Sequence, residues 1–164
     1  MDLEDYNFFY YPLKGKIVTN TILNCLSDNN VYVNRLALDF IISHMPINSD
    51  INTSDINITL VEAVLQLITK KDFACLKKFS TWLLSHLDDE DEENVDLVKL
   101  RADPSILAIN PALQRIFSKR YETEKEAIKP ITIMQILLNE NSMITDAIME
   151  ELTIFIIYYL KDYY

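Results

Sequence analysis

Asp28-Asn29-Asn30-Val31-Tyr32-Val33-Asn34-Arg35-Leu36-Ala37-Leu38-Asp39-Phe40-Ile41-Ile42-Ser43-His44-Met45-Pro46 is the stretch on which the fold turns. Val33, Leu36, Ala37, Phe40, Ile41 and His44 recur at three- and four-residue intervals, the spacing of one helical face. The polar run at 27–30 breaks the preceding pattern, and Pro46 disfavours helical geometry at Met45. A helix is therefore predicted between them, with His44 on its buried side. Asp28 is placed to satisfy free amides at the helix start. Arg35 and Asp39 stand at i and i+4, where a surface ion pair adds roughly 0.2–0.5 kcal/mol.

Working outward, Ile17, Ile22 and Leu26 give a first helix starting near Leu13. Downstream, Ser54 or Asp55 caps a third helix with Leu60, Val61, Val64, Leu67 and Ile68 inward, ending at Lys70 and Lys71. Asp72 then caps a fourth, with Leu76, Phe79, Leu83 and Leu87 inward. Asp103-Pro104 and Asn110-Pro111 each read as a cap followed by proline at the first helical position, hence two more helices. A charged connector at 123–126 follows, Pro130 opens a helix over 131–138, and Ser142 starts the last through Ile148, Leu152, Phe155 and Tyr159. About seven helices in consecutive antiparallel pairs are predicted. Residues 28–38 resemble the second-helix signature of a HEAT-type repeat, in which a small residue such as Ala37 lets paired helices approach. The expectation is all-α: a single helical-repeat domain over 13–164 of stacked HEAT/armadillo-like pairs, with a compact helical bundle as the alternative. Residues 1–12, carrying Phe8-Phe9-Tyr10-Tyr11, read as an irregular aromatic arm packed on a neighbour, and 88–94 as an exposed acidic loop.

Composition narrows the function. The 164 residues are 49% hydrophobic with one glycine, which disfavours hairpins and glycine-rich phosphate loops. Twenty-five acidic against fifteen basic residues leave a net charge of −10, so nucleic acid is not an expected partner. His44 and His86, with Cys25 and Cys75, form no triad or metal-ligand spacing, and the acidic run lacks the glycine and spaced oxygens of a calcium loop. No catalytic, cofactor or metal residues are predicted, and no small-molecule substrate. The chain reads as a non-enzyme. The acidic start lacks the positive charge of a secretory leader, and the apolar run at 154–160 is far shorter than a membrane span, so a reduced, cytoplasmic setting is expected.

Two places read as interaction candidates. Lys70, Lys71, Lys77 and Lys78 crowd four basic residues into nine positions of an acidic chain. They read either as a solvated helix end favoured by the helix dipole, or as a patch for an acidic partner or anionic lipid headgroups. Ile154-Phe155-Ile156-Ile157-Tyr158-Tyr159-Leu160 is apolar all round, so the last helix is either central or, as favoured here, an open end of the array. Phe155, Ile157 and Tyr159 are then the residues to find at a binding surface.

Lys70-Lys71-Asp72-Phe73-Ala74-Cys75-Leu76-Lys77-Lys78-Phe79-Ser80-Thr81-Trp82-Leu83-Leu84 resembles a motif of the Dopey family: two basic residues and Asp, then two basics, then aromatic-x-x-Trp-Leu-Leu. Asp28, Val31, Val33, Asn34, Arg35, Leu38, Asp39 and Pro46 are similar to the family's preceding segment, and residues 129–138 to a later proline-led helix. The likeness extends over about 17–160. It departs where Ser85 and His86 stand in place of a glycine, and where Lys replaces Arg at four basic positions, which forfeits bidentate contacts. Dopey proteins are far longer, so the resemblance is to a piece of their conserved N-terminal region. It implies a helical-repeat scaffold in membrane traffic between endosomes and the Golgi, acting by protein–protein contact with a large Golgi scaffold and an aminophospholipid flippase. It also implies a cytoplasmic protein peripheral on those membranes, with Asp28, Arg35, Asp39, Asp72 and Trp82 as structural motif residues. An unrelated all-helical module, a Bcl-2-like host-binding or virulence factor, is the alternative.

Overall fold

The computed structural model describes residues 12–47, 54–70, 72–84, 101–140 and 142–163. They form α1 (Pro12–Ser27), α2 (Val31–His44), α3 (Ser54–Ile68), α4 (Phe73–Leu84), α5 (Pro104–Phe117), the single turn α6 (Glu124–Ala127), α7 (Lys129–Glu140) and α8 (Ser142–Tyr163). Among the described residues there is no strand. The chain is an all-α helical-repeat fold. Each early helix touches its successor or the helix after that: α1 meets α2 and α3, α2 meets α4, and α3 meets α4 and α5. That is the connectivity of stacked helix pairs. α5 and α7 then pack on α8.

The α3 helix is the middle of the stack. Leu60, Val61, Val64, Leu65, Leu67 and Ile68 are all buried, because α3 touches α1, α4, α5 and α7. Arg115 of α5 reaches Asp55 at 2.7 Å and Lys119, just past the end of α5, reaches Glu62 at 2.9 Å, both bridging to α3 at the surface. Trp82 of α4 is completely buried, and its indole Nε1 donates to the Met45 carbonyl at 2.9 Å. A large aromatic thus closes the end of α2 while filling the core. At the far end, Phe117 stacks on Phe155 at 6.0 Å and meets Tyr159 edge-on at 5.4 Å, seating α8 on α5.

Several local expectations need correction. Asn110-Pro111 does not start a helix: α5 runs unbroken from Pro104, capped by Asp103, with Pro111 inside it. Pro111 has no N–H to give the Leu107 carbonyl, but Leu107 lies on the exposed side, where water can serve that oxygen. The connector at 123–126 is a helical turn capped by the Thr123 hydroxyl. On α2 the buried residues are Asn34, Ala37, Leu38 and Ile41, a face rotated from the apolar stripe, because α1 and α4 flank the helix. Leu36, Phe40 and His44 consequently point outward, and His44 stacks on Phe40 at 4.6 Å instead of entering the core. Pro12, assigned to the arm, is the first residue of α1. The rest of the arm, the acidic loop at 88–94, Leu87 and His86 lie outside the described residues.

Trp82→Ala removes a fully buried ring and is expected to lower stability by roughly 3–5 kcal/mol in urea unfolding. A loss well under 1 kcal/mol would contradict its place in the core.

Candidate functional site

The residues singled out around the two motifs converge on the turn between α1 and α2 and the turn between α3 and α4. Asn34, buried on α2, directs its amide Nδ2 to the carbonyls of Cys25 (2.8 Å), Leu26 (3.1 Å) and Asp28 (3.0 Å). The first two belong to the last turn of α1, where carbonyls lack an i+4 amide partner within the helix, and the third to the turn that follows. Lys70, arriving from the end of α3, donates to the Asp28 carbonyl at 2.7 Å and to Asn34 Oδ1 at 3.1 Å. An ammonium can only donate, so its contact also fixes which end of the Asn34 amide is oxygen.

Beside this contact stands a second. Asp72 caps α4, its Oδ1 accepting from the Ala74 and Cys75 amides at 3.0 and 3.4 Å. The same carboxylate takes a two-pronged contact from Arg35 of α2, Nε to Oδ2 at 2.9 Å and a terminal nitrogen to Oδ1 at 3.2 Å. Arg35 therefore does not pair with Asp39 one turn on; Asp39 is held by Lys78 of α4. An ion pair across two helices fixes their register, whereas one within α2 would only stiffen a helix already packed. The Arg35 hydrogen bond is the main cause that holds the Asp72 carboxyl below the usual carboxylate range, helped by the Cys75 and Ala74 amides. The same bond raises the Arg35 guanidinium further. Burial pushes the neighbouring Cys75 thiol up, which keeps it protonated and inert. Asp28 is not the cap of α2; Asn30 is, accepting from the Tyr32 amide, while Asp28 Oδ1 accepts from the Asn30 amide at 2.7 Å and shapes the turn.

The lysine cluster divides accordingly. Lys70 and Lys78 are engaged within the fold, Lys77 is exposed, and Lys71 lies outside the described residues. The α8 candidates divide too. Ile148, Leu152 and Tyr159 are buried and Phe155 is half-buried on the inner side, where the Tyr159 hydroxyl donates to the Ala127 carbonyl at 2.6 Å. Ile154, Ile157, Tyr158 and Leu160 point outward, Ile157 at 50% exposure. Asn34 is the key residue that reading for apolar periodicity passed over. Its signal was phase: it stands three and seven positions before the buried Ala37 and Ile41. Among the described residues no three His, Cys, Asp or Glu side chains cluster as metal ligands, and no helix is long and apolar enough to cross a membrane.

Fold and site together define a helical-repeat array whose motif residues are internal braces. The family model described as "Dopey, N-terminal" matches residues 3–88, just over half of the chain. The chain belongs to the Dopey family, and so to proteins of membrane traffic. The match takes in α1 to α4 with both motifs, whereas the likeness at 129–138 falls outside it. No curated protein and no solved structure matches the chain.

Because the folded state holds the Asp72 carboxyl low, its contribution is present above the unfolded value of about 3.9 and is lost as pH falls through the folded one. Asp72→Asn should therefore be less stable than the parent at pH 7, with the gap closing below about pH 4. A gap of the same size at pH 3, measured by urea titration, would contradict the assignment. Lys70→Glu should lower stability by about 1 kcal/mol or more, since it strips two acceptors of their donor. Lys77→Glu should stay within about 0.5 kcal/mol of the parent. Equal effects of the two reversals would put Lys70 back on an idle surface.

Proposed function

We propose that the chain is a non-enzymatic helical-repeat scaffold of Dopey type, working by protein–protein contact in traffic between endosomes and the Golgi. Family membership supports the setting. The observation that carries the contact mode is the outward face of α8. Ile154, Ile157, Tyr158 and Leu160 stand exposed at i, i+3, i+4 and i+6 on a helix whose opposite face is already seated on α5. Exposed apolar residues in one contiguous row are the signature of a face that another protein covers. The partners this reading names are a large Golgi scaffold and an aminophospholipid flippase, met on the cytoplasmic side by a protein held peripherally. Within the cluster at 70–78, Lys70 and Lys78 are committed inside the fold and Lys77 is the described lysine left to meet anionic lipid, so the main contact is assigned to protein and not to headgroups.

Affinity purification of the chain from cells, read for the two named partners, tests the proposal. Ile154→Asp with Ile157→Asp should fold normally by circular dichroism and lose capture by tenfold or more, as when a hot spot of about 2 kcal/mol is removed. Recovery of neither partner by the parent chain would overturn the setting. Undiminished capture by the double variant would overturn the choice of face.

A further inference from the structure

The outward stripe of α2 does not simply face water. Val33, Leu36 and Phe40, with Ile17, Thr21 and Cys25 of α1, line an open apolar cavity of about 440 Å³ between the two helices. Even the one hydroxyl among them is spent, since Thr21 Oγ1 donates to the Ile17 carbonyl at 2.9 Å. The rim is apolar as well: Ile17 is 59% and Leu36 69% exposed. A volume of this size is that of a cleft that takes a ligand, about 300–1,000 Å³. The groove lies on the first helix pair, at the end of the stack away from α8. What covers an apolar cleft of this kind is a segment that is apolar inside and polar outside.

Such a segment is joined directly to one wall. Residues 1–11 read Met1-Asp2-Leu3-Glu4-Asp5-Tyr6-Asn7-Phe8-Phe9-Tyr10-Tyr11, with five aromatics at 6–11 behind three acids, and they lead straight into Pro12 of α1. Eleven residues extend to about 36 Å, while α1 rises only about 20 Å from Pro12 to Cys25, so the arm reaches the whole groove. A tether this short presents the aromatics at millimolar effective concentration, which favours an occupant from the same chain over a free one. Two-torsion aromatic side chains also lose little entropy on docking. We propose that the arm docks in cis, its aromatics at 6–11 filling the α1/α2 groove and its acids facing water.

Cys25 on the groove wall is the reporter, and buried Cys75 is the control for unfolding. An arm that holds the groove about nine-tenths of the time slows maleimide labelling of Cys25 about tenfold. Replacing Phe8, Phe9, Tyr10 and Tyr11 of the full chain by serine should restore that factor, with Cys75 still slow and the rates independent of protein concentration. An unchanged Cys25 rate would overturn the proposal. So would protection in the parent that fades on dilution, since the occupant would then be a second copy. A benzophenone amino acid at position 9 of the otherwise unaltered chain gives a reading that does not depend on the serine variant folding. Cross-links within one chain to residues 17–40 support cis docking; cross-links only elsewhere, or only between chains, overturn it.

Discussion

The Asp72 carboxylate ties α2 to α4. It caps α4 through two amides and grips Arg35 of α2 with both oxygens. Two residues earlier in the chain, Lys70 binds the Asp28 carbonyl and the Asn34 amide that collects the last carbonyls of α1. One stretch of the α3–α4 turn therefore touches the α1–α2 turn, α2 and α4 through directional contacts. Apolar packing supplies the cohesion, but it is tolerant of sliding; charged two-pronged contacts are not. The order of helices in the stack is set by burial, and their register by this bracket.

The motif likeness to Dopey proteins acquires a physical meaning from the same geometry. Asp28, Arg35, Asp39, Asp72 and Trp82 could each have belonged to a ligand surface. Instead Arg35 meets Asp72, Asp39 meets Lys78, and Trp82 seals the end of α2. The two motifs are the two halves of one clamp. The exposed apolar faces lie away from this clamp: the outer row of α8 and the groove of α1 and α2.

Helix existence was legible in the sequence because it follows from apolar spacing and from start and stop signals such as Asp72 and Pro46. The α8 helix, apolar all round in the sequence, resolves into an inner face on Phe117 and an outer face in water. What could not be read was which side of a helix has neighbours. On α2 the buried face holds Asn34, a polar residue whose value lies in carbonyls far from it in sequence, so a hydrophobic count placed His44 inward and left Asn34 out. Asn110-Pro111 misled for a related reason: a cap-and-proline pair is a local signal, and burial of Ile109, Ala112 and Leu113 carries α5 straight through it. The pairing of Arg35 was equally invisible, since i+4 geometry is local and the true partner lies 37 positions on.

Native-state hydrogen exchange on the Arg35→Met variant tests most directly whether this bracket holds the array together. If it does, amides in α1, α2 and α4 lose protection together and by the same free energy, because their register is released as one unit. If the loss is confined to the first turn of α4, where Asp72 caps the helix, the contact is only a local cap and the account of the stack is wrong.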